Sequence, residues 1–183
     1  MHRKILILNG SPRKNGNTQA LVEAFTQGAE QAGNTVTVFN LDSMNIHPCK
    51  GCLGGGRDPS HPCVQRDDMD RIYPVYREAD IVVFATPLYY WSVTGQFKAA
   101  FDRLFAVTEC DPEYKAPVKQ AALLMAAGSQ EFEEVTYWYD HLMEHLGWQS
   151  IGKVLCGDVL YAGDSKDRSE LADAEHLGAS IAE

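Results

Sequence analysis

Two short stretches of the chain carry residue types suited to a flat, phosphate-bearing ligand. The first, Asn9-Gly10-Ser11-Pro12-Arg13-Lys14-Asn15-Gly16-Asn17-Thr18, follows an apolar run and leads into a helical pattern. A phosphate monoester needs several hydrogen-bond donors and some positive charge. The hydroxyls of Ser11 and Thr18, the Arg13 guanidinium, the Asn17 amide and the N–H groups beside a helix start supply both. A Gly/Asn turn with an ordinary helix cap is the plainer reading of these residues. A loop this long after a buried strand favours the phosphate site. It lacks the Gly-Lys-Ser/Thr triplet of one familiar phosphate loop and the G-x-G-x-x-G of another.

The second stretch is Ala85-Thr86-Pro87-Leu88-Tyr89-Tyr90-Trp91-Ser92-Val93-Thr94-Gly95-Gln96. A flat conjugated ring with a polar edge wants backbone contacts on that edge and apolar surface on a face. Pro87 stiffens the turn, and Leu88 to Trp91 supply the bulk. Packing of the loop, or a contact with a second subunit, would use the same aromatic residues. A third candidate is Cys49-x-x-Cys52 followed by Gly54-Gly55-Gly56 and Cys63, in an irregular stretch over 42–66. Loops of this length are functional or mobile more often than idle. Cys49, Cys52 and Cys63 with His47 or His61 would make a Cys₃His zinc set. The short step from His61 to Cys63 is awkward for tetrahedral geometry, so the segment is read as a metal-free lid or dimer arm. His141 and His145 lie four apart on a helical stretch but without an H-E-x-x-H frame, and are read as solvated or capping.

Strands and helices must position these residues. Ile5–Leu8, Ile81–Phe84 and Ala121–Ala126 are continuous apolar runs, as in strands covered on both faces. Thr35–Phe39 and Lys153–Cys156 alternate, which suits sheet edges. Helical spacing covers Thr18–Gln31, a stretch from Asp67-Asp68 to about Ala79 that Pro74 shortens or kinks, Gln96–Phe105, Glu131–Leu146 and Ser169–Ile181. Gly147 closes the fourth of these. The alternation of strand and helix predicts one doubly wound α/β domain over 1–183, with five parallel strands in the order 2-1-3-4-5 and helices on both faces. Ligands of such sheets lie beyond the carboxyl ends of the first and third strands, where the first two stretches fall.

Bulk properties narrow the function class. A formal net charge of −9 disfavours nucleic acid, whose binding requires Lys and Arg to neutralise phosphates. No apolar run approaches the roughly 18 residues of a membrane span. Asn9-Gly10 interrupts the first apolar run before a signal-peptide core can form, which points to the cytoplasm. Five cysteines, an odd number, fit reduced thiols better than a disulfide framework.

Gly10 to Thr18 together with Pro87-x-Tyr89, Thr94-Gly95, Lys98 and Asp102-Arg103 resembles the NADPH-dependent FMN reductase and iron–sulfur flavoprotein-like family of the flavodoxin superfamily. The resemblance spans most of the chain and implies a flavodoxin-like fold with bound FMN. Carried over position by position, it places Ser11, Arg13, Asn15, Asn17 and Thr18 around the phosphate. Pro87, Leu88, Tyr89, Tyr90, Ser92 and Gly128 then hold the ring. Asp102 and Arg103 match as well, but an intrahelical or helix–loop ion pair suits them better. The resemblance implies NAD(P)H as co-substrate, a small acceptor such as a quinone or flavin, and a homodimer. No catalytic side chain is required, since the flavin carries the chemistry. The cluster cysteines of the iron–sulfur relatives are incomplete here: glycines stand where a fourth is expected, and a four-iron cluster takes four thiolates. The alternative is an electron-transfer or redox-sensing flavoprotein working with a protein partner, a role that net acidity suits.

Overall fold

The computed structural model describes residues 2–182. Five strands, β1 (Lys4–Asn9), β2 (Thr35–Asn40), β3 (Ile81–Pro87), β4 (Gln120–Ala126) and β5 (Gln149–Cys156), pair in parallel in the order β2-β1-β3-β4-β5. The helices are α1 (Asn17–Gln31), α2 (Met69–Glu78), α3 (Gly95–Arg103), the single turn α4 (Phe105–Thr108), α5 (Glu133–Leu146) and α6 (Ser169–Ala179). This is the expected doubly wound arrangement. No helix among the described residues is long and apolar enough to cross a membrane.

Strand alternation divides the core into two layers. Leu6, Leu8, Val82, Phe84, Leu123 and Met125 face α2, α3 and α5. Ile5, Ile7, Ile81, Val83, Ala122 and Leu124 face α1 and α6. Central strands that bury both faces read as unbroken apolar runs for this reason, whereas the edge strand β2 is only partly buried.

Three boundaries that differ from the sequence expectation have a clear local cause. Strand β5 begins at Gln149 rather than Lys153. Its ladder with β4 slips between Ala121 and Ala122, leaving Ile151 as an extra residue that breaks the alternation. The stretch expected as one helix to Phe105 ends at Arg103 and restarts as α4, because the Leu104 N–H turns back to the Phe101 carbonyl at 3.0 Å. Helix α5 starts at Glu133, since Ser129 to Glu131 are held in the preceding loop. Pro74 sits inside α2 without ending it.

Two contacts hold the layers in place. Helices α1 and α6 meet backbone to backbone: a Cβ on Gly28 would strike the Glu175 carbonyl, and one on Gly178 the Phe25 carbonyl. On the other face, Arg103 at the end of α3 reaches Asp67 with two nitrogens at 2.8 and 3.2 Å, and both side chains are buried. Arg103 also donates to the carbonyls of His47 (2.8 Å) and Gln65 (3.4 Å), pinning both ends of the cysteine segment to the helix. Burial opposes the charge of Asp67. The Arg103 guanidinium and the N–H groups of His47 and Met69 outweigh it and hold the carboxyl at about 2.

Gly28→Ala should destabilise the fold by about 1–3 kcal/mol through overpacking, lowering the thermal midpoint by roughly 2–12 °C. An unchanged midpoint would mean that α1 and α6 can separate freely. Asp67→Asn, which leaves Arg103 buried without a counter-charge, should cost about 3–5 kcal/mol in urea unfolding. The folded carboxyl lies below its unfolded value, so the wild-type contribution is full above about pH 4 and lost as pH falls through about 2. The variant's acid limb should lack that component.

Candidate cofactor-binding site

The loop after β1 is tied to the tip of β3 before it reaches any ligand. Gly10 donates its N–H to the Ala85 carbonyl at 2.8 Å. A Cβ on Gly10 would lie 2.6 Å from Thr94 Oγ1 and 2.8 Å from Phe97 Cβ, so only glycine fits. The Thr94 hydroxyl donates to the Gly10 carbonyl (2.9 Å) and accepts from the Phe97 N–H (3.3 Å), which makes it the N-cap of α3. Its own N–H donates to Thr86 Oγ1 at 3.1 Å. Both threonines are buried. Buried Asn9 completes the bracing: its Oδ1 accepts from the Ser11 N–H at 3.0 Å, while Nδ2 donates to Gln19 and Asn40.

Within the loop, Ser11 Oγ accepts from the Arg13 N–H at 3.3 Å. Gly16 is the cap of α1 and has no side chain to fill the space. A Cβ there would lie 2.9 Å from that of Arg13. The first-turn N–H groups of α1, at Asn17 and Thr18, therefore lack intrahelical acceptors and face the loop. The Thr18 hydroxyl has no protein hydrogen-bond partner among the described residues, although the residue is buried.

The loop after β5 forms a wall that the sequence did not announce. Asn17 Nδ2 donates to the carbonyls of Val159 (3.3 Å) and Tyr161 (2.9 Å), and its Oδ1 accepts from the Ser165 N–H (3.2 Å). Arg13 donates one guanidinium nitrogen to the Leu160 carbonyl at 2.9 Å. The Asn17 amide is thus spent on this loop rather than turned to the cleft, leaving its backbone N–H as its free donor.

These loops enclose a cleft of about 230 Å³ at the carboxyl ends of β1, β3 and β4. Ser11, Arg13, Asn17, Thr18, Pro87, Leu88, Tyr89 and Gly128 all line it, so the two stretches singled out in the sequence do converge. Arg13 is the sole charged side chain in that lining. Asn15 is exposed and lies outside the lining, Tyr90 lines a neighbouring groove, and Ser92 is exposed in a hairpin with Tyr89. Thr86, Thr94, Val159 and Leu160 were missed as site residues. A threonine three residues before Phe97 at a helix start was a readable cap signal. The fifth strand tip could have been included on topology alone.

The donor set fits a flavin mononucleotide. Hydroxyls, unpaired N–H groups and one guanidinium converge at the helix start, and a Cβ on Gly16 would crowd that end. The opposite end is apolar, with Pro87, Leu88, Ala126 and Ala127 beside exposed Gly128. Asp102 pairs with Lys98 at 2.7 Å one turn back, and Arg103 with Asp67, as the ion-pair reading expected. Cys49, Cys52 and Cys63 line a separate recess of about 40 Å³ against α3 and α4. Among the described residues, no three His, Cys, Asp or Glu side chains converge to hold a metal ion.

An iron–sulfur flavoprotein of Archaeoglobus fulgidus is 33% identical over 174 residues, covering 95% of this chain and 76% of that one. A Bacillus subtilis protein whose name describes an NAD(P)H-dependent FMN-containing oxidoreductase is 27% identical, over 95% and 96% of the two chains. In structure, the NAD(P)H:quinone oxidoreductase from Methanothermobacter marburgensis superposes with a TM-score of 0.76 at 21% identity, covering 100% of this chain and 98% of that chain, a likeness of fold. A four-iron cluster does not fit this chain: its segment offers three cysteines, of which Cys63 is buried while Cys49 and Cys52 are exposed. The flavin site does fit, and a family model described as NADPH-dependent FMN reductase matches residues 3–158; the chain belongs to that family.

Proposed function

We propose that this protein holds FMN in the cleft at the strand tips and passes electrons from NAD(P)H to a quinone, a flavin or another small acceptor. Membership of the NADPH-dependent FMN reductase family makes it an oxidoreductase with FMN as cofactor and NAD(P)H as reductant. The acceptor, the cytoplasmic location, action as one domain over 1–183 and a homodimeric state are our reading. Exposed Leu160 and Tyr161 on the loop after β5 support a second copy seated against that side of the cleft.

The observation that carries this reading is the polarity gradient of the cleft. One end gathers the α1 start, the Ser11 and Thr18 hydroxyls and Arg13, and the other end is apolar. When bound, FMN supplies hydride and electron transfer between the two substrates. The chain's own residues bind and orient. Ser11, Thr18 and the first N–H groups of α1 hold the phosphate, with Arg13 balancing its charge. Pro87, Leu88 and Tyr89 flank the ring, and Gly128 lets it lie close to the backbone. Asn17 keeps the loop after β5 in place as the outer wall. Asn15, Ser92 and Tyr90 are read as outer contacts of the ligand at the exposed loop edges.

The net charge of −9 favours a second reading, a carrier that docks a basic redox partner. Anaerobic titration of the FMN-loaded protein with NADH and NADPH separates the two. We expect the visible flavin band to bleach with at least one nucleotide. A bound flavin that neither nucleotide bleaches would favour the carrier, and no uptake of FMN at all would sink both. Arg13→Glu should weaken FMN binding tenfold or more, about 1.4 kcal/mol, in a fluorescence titration with unchanged far-UV dichroism. Equal affinity would remove Arg13 from the phosphate site.

A further inference from the structure

A second groove of about 250 Å³ opens beside the cofactor cleft and shares Leu88, Ala127 and Gly128 with it. Its own walls are Tyr90, Trp91, Ser129 and Glu131. Tyr89 and Ser92 exchange backbone hydrogen bonds at 3.0 and 3.1 Å, closing a two-residue hairpin turn. Tyr90 and Trp91 occupy its centre with φ of 48° and 57°. Such turns prefer Asn-Gly, because left-handed backbone is unfavourable for residues with bulky side chains. Packing does not compensate at Tyr90, a residue 94% exposed. Strain retained at exposed aromatic residues beside a cofactor cleft points to a ligand.

Trp91 is held in place. Its indole N–H donates to Glu131 Oε2 at 3.2 Å, and the Glu131 N–H in turn donates to Ser129 Oγ at 3.4 Å. The Tyr90 and Trp91 rings stand edge to face at 6.4 Å. Glu131 is the sole charged side chain lining the groove, and no cation there offsets it.

We propose that this groove docks the electron acceptor and selects planar aromatic molecules that carry no negative charge. Trp91 and Tyr90 provide the aromatic wall. Glu131 is a positioning and specificity residue: it fixes the indole and repels anions. The inference rests on the adjacent cleft being the FMN site. A carboxylate a few ångströms from a sulfonate in a half-solvated groove should weaken its binding by roughly tenfold.

The test uses the FMN-loaded protein without nucleotide, so that no turnover occurs. Binding of an uncharged naphthoquinone and of its sulfonated analogue is read from perturbation of the visible flavin band at fixed ionic strength. In the wild type the uncharged quinone should bind about tenfold more tightly. Glu131→Gln keeps an acceptor for the indole N–H but removes the charge. It should bring the sulfonate to within about threefold of the quinone while leaving quinone binding unchanged, since only the Coulomb repulsion is lost. Glu23→Gln, far away on α1, should leave the preference intact, which separates a local carboxylate from overall acidity. Trp91→Ala should weaken both ligands severalfold. Equal wild-type affinities, or a preference that survives in Glu131→Gln, would overturn the proposal. A protein that takes up no FMN fails this inference and the preceding reading together. One that binds FMN, is bleached by NAD(P)H and does not discriminate by charge fails this inference alone.

Discussion

The cleft at the strand tips depends on the hydroxyl of Thr94. That single oxygen caps α3 and, by donating to the Gly10 carbonyl, fastens the loop after β1 to the loop after β3. The two loops are more than 80 residues apart in sequence, since the donor and the acceptor differ by 84 positions. They would otherwise move independently, as strand-tip loops do. Gly10 is the complementary half of the device, because any Cβ would occupy the place of the threonine oxygen. Pre-organisation of this kind lowers the ordering cost that a ligand must meet on binding.

The structure keeps its polar investments in separate places. The buried Asp67–Arg103 pair secures the cysteine segment against the lower end of α3, away from the strand tips. A desolvated ion pair contributes little net stability over an apolar substitute, yet breaking it is costly, so it acts as a fixed anchor. At the tips, by contrast, donors are left open: the Thr18 hydroxyl, the first N–H groups of α1 and part of the Arg13 guanidinium. The Asp67 carboxylate is satisfied internally, whereas the donors at the strand tips face the cleft.

Much of this was legible in the sequence. The apolar runs of β1, β3 and β4 announced central strands because burial on both faces removes alternation. The loops at Ser11–Thr18 and Pro87–Tyr89 stood out because glycine, hydroxyl and aromatic residues crowd where a buried strand stops, and the fold brings them to one cleft. Strand β5 was half hidden, since its bulge at Ile151 and the polar Gln149 and Ser150 interrupt the period. The tie from the Asn17 amide to the loop after β5 was not legible, because an amide is equally suited to a ligand and to a carbonyl. Only the fold brings Val159 and Tyr161 within reach. The left-handed pair Tyr90-Trp91 was invisible, since nothing in aromatic residues signals a turn that favours Asn-Gly.

The ties from Arg13 and Asn17 to the loop after β5 bear on how the molecule is made. Residues near the start of the chain supply the floor of the cradle, but its outer wall comes from Val159 to Ser165, nearly 150 residues later. A contact of such long range closes late, because chain entropy must be overcome before it forms. During synthesis the β1 loop and α1 emerge first and wait, exposed, until α6 arrives to cover the same face of the sheet. The nascent protein thus passes most of its synthesis with an open cradle, whose outer wall closes only with completion of the sheet's last edge.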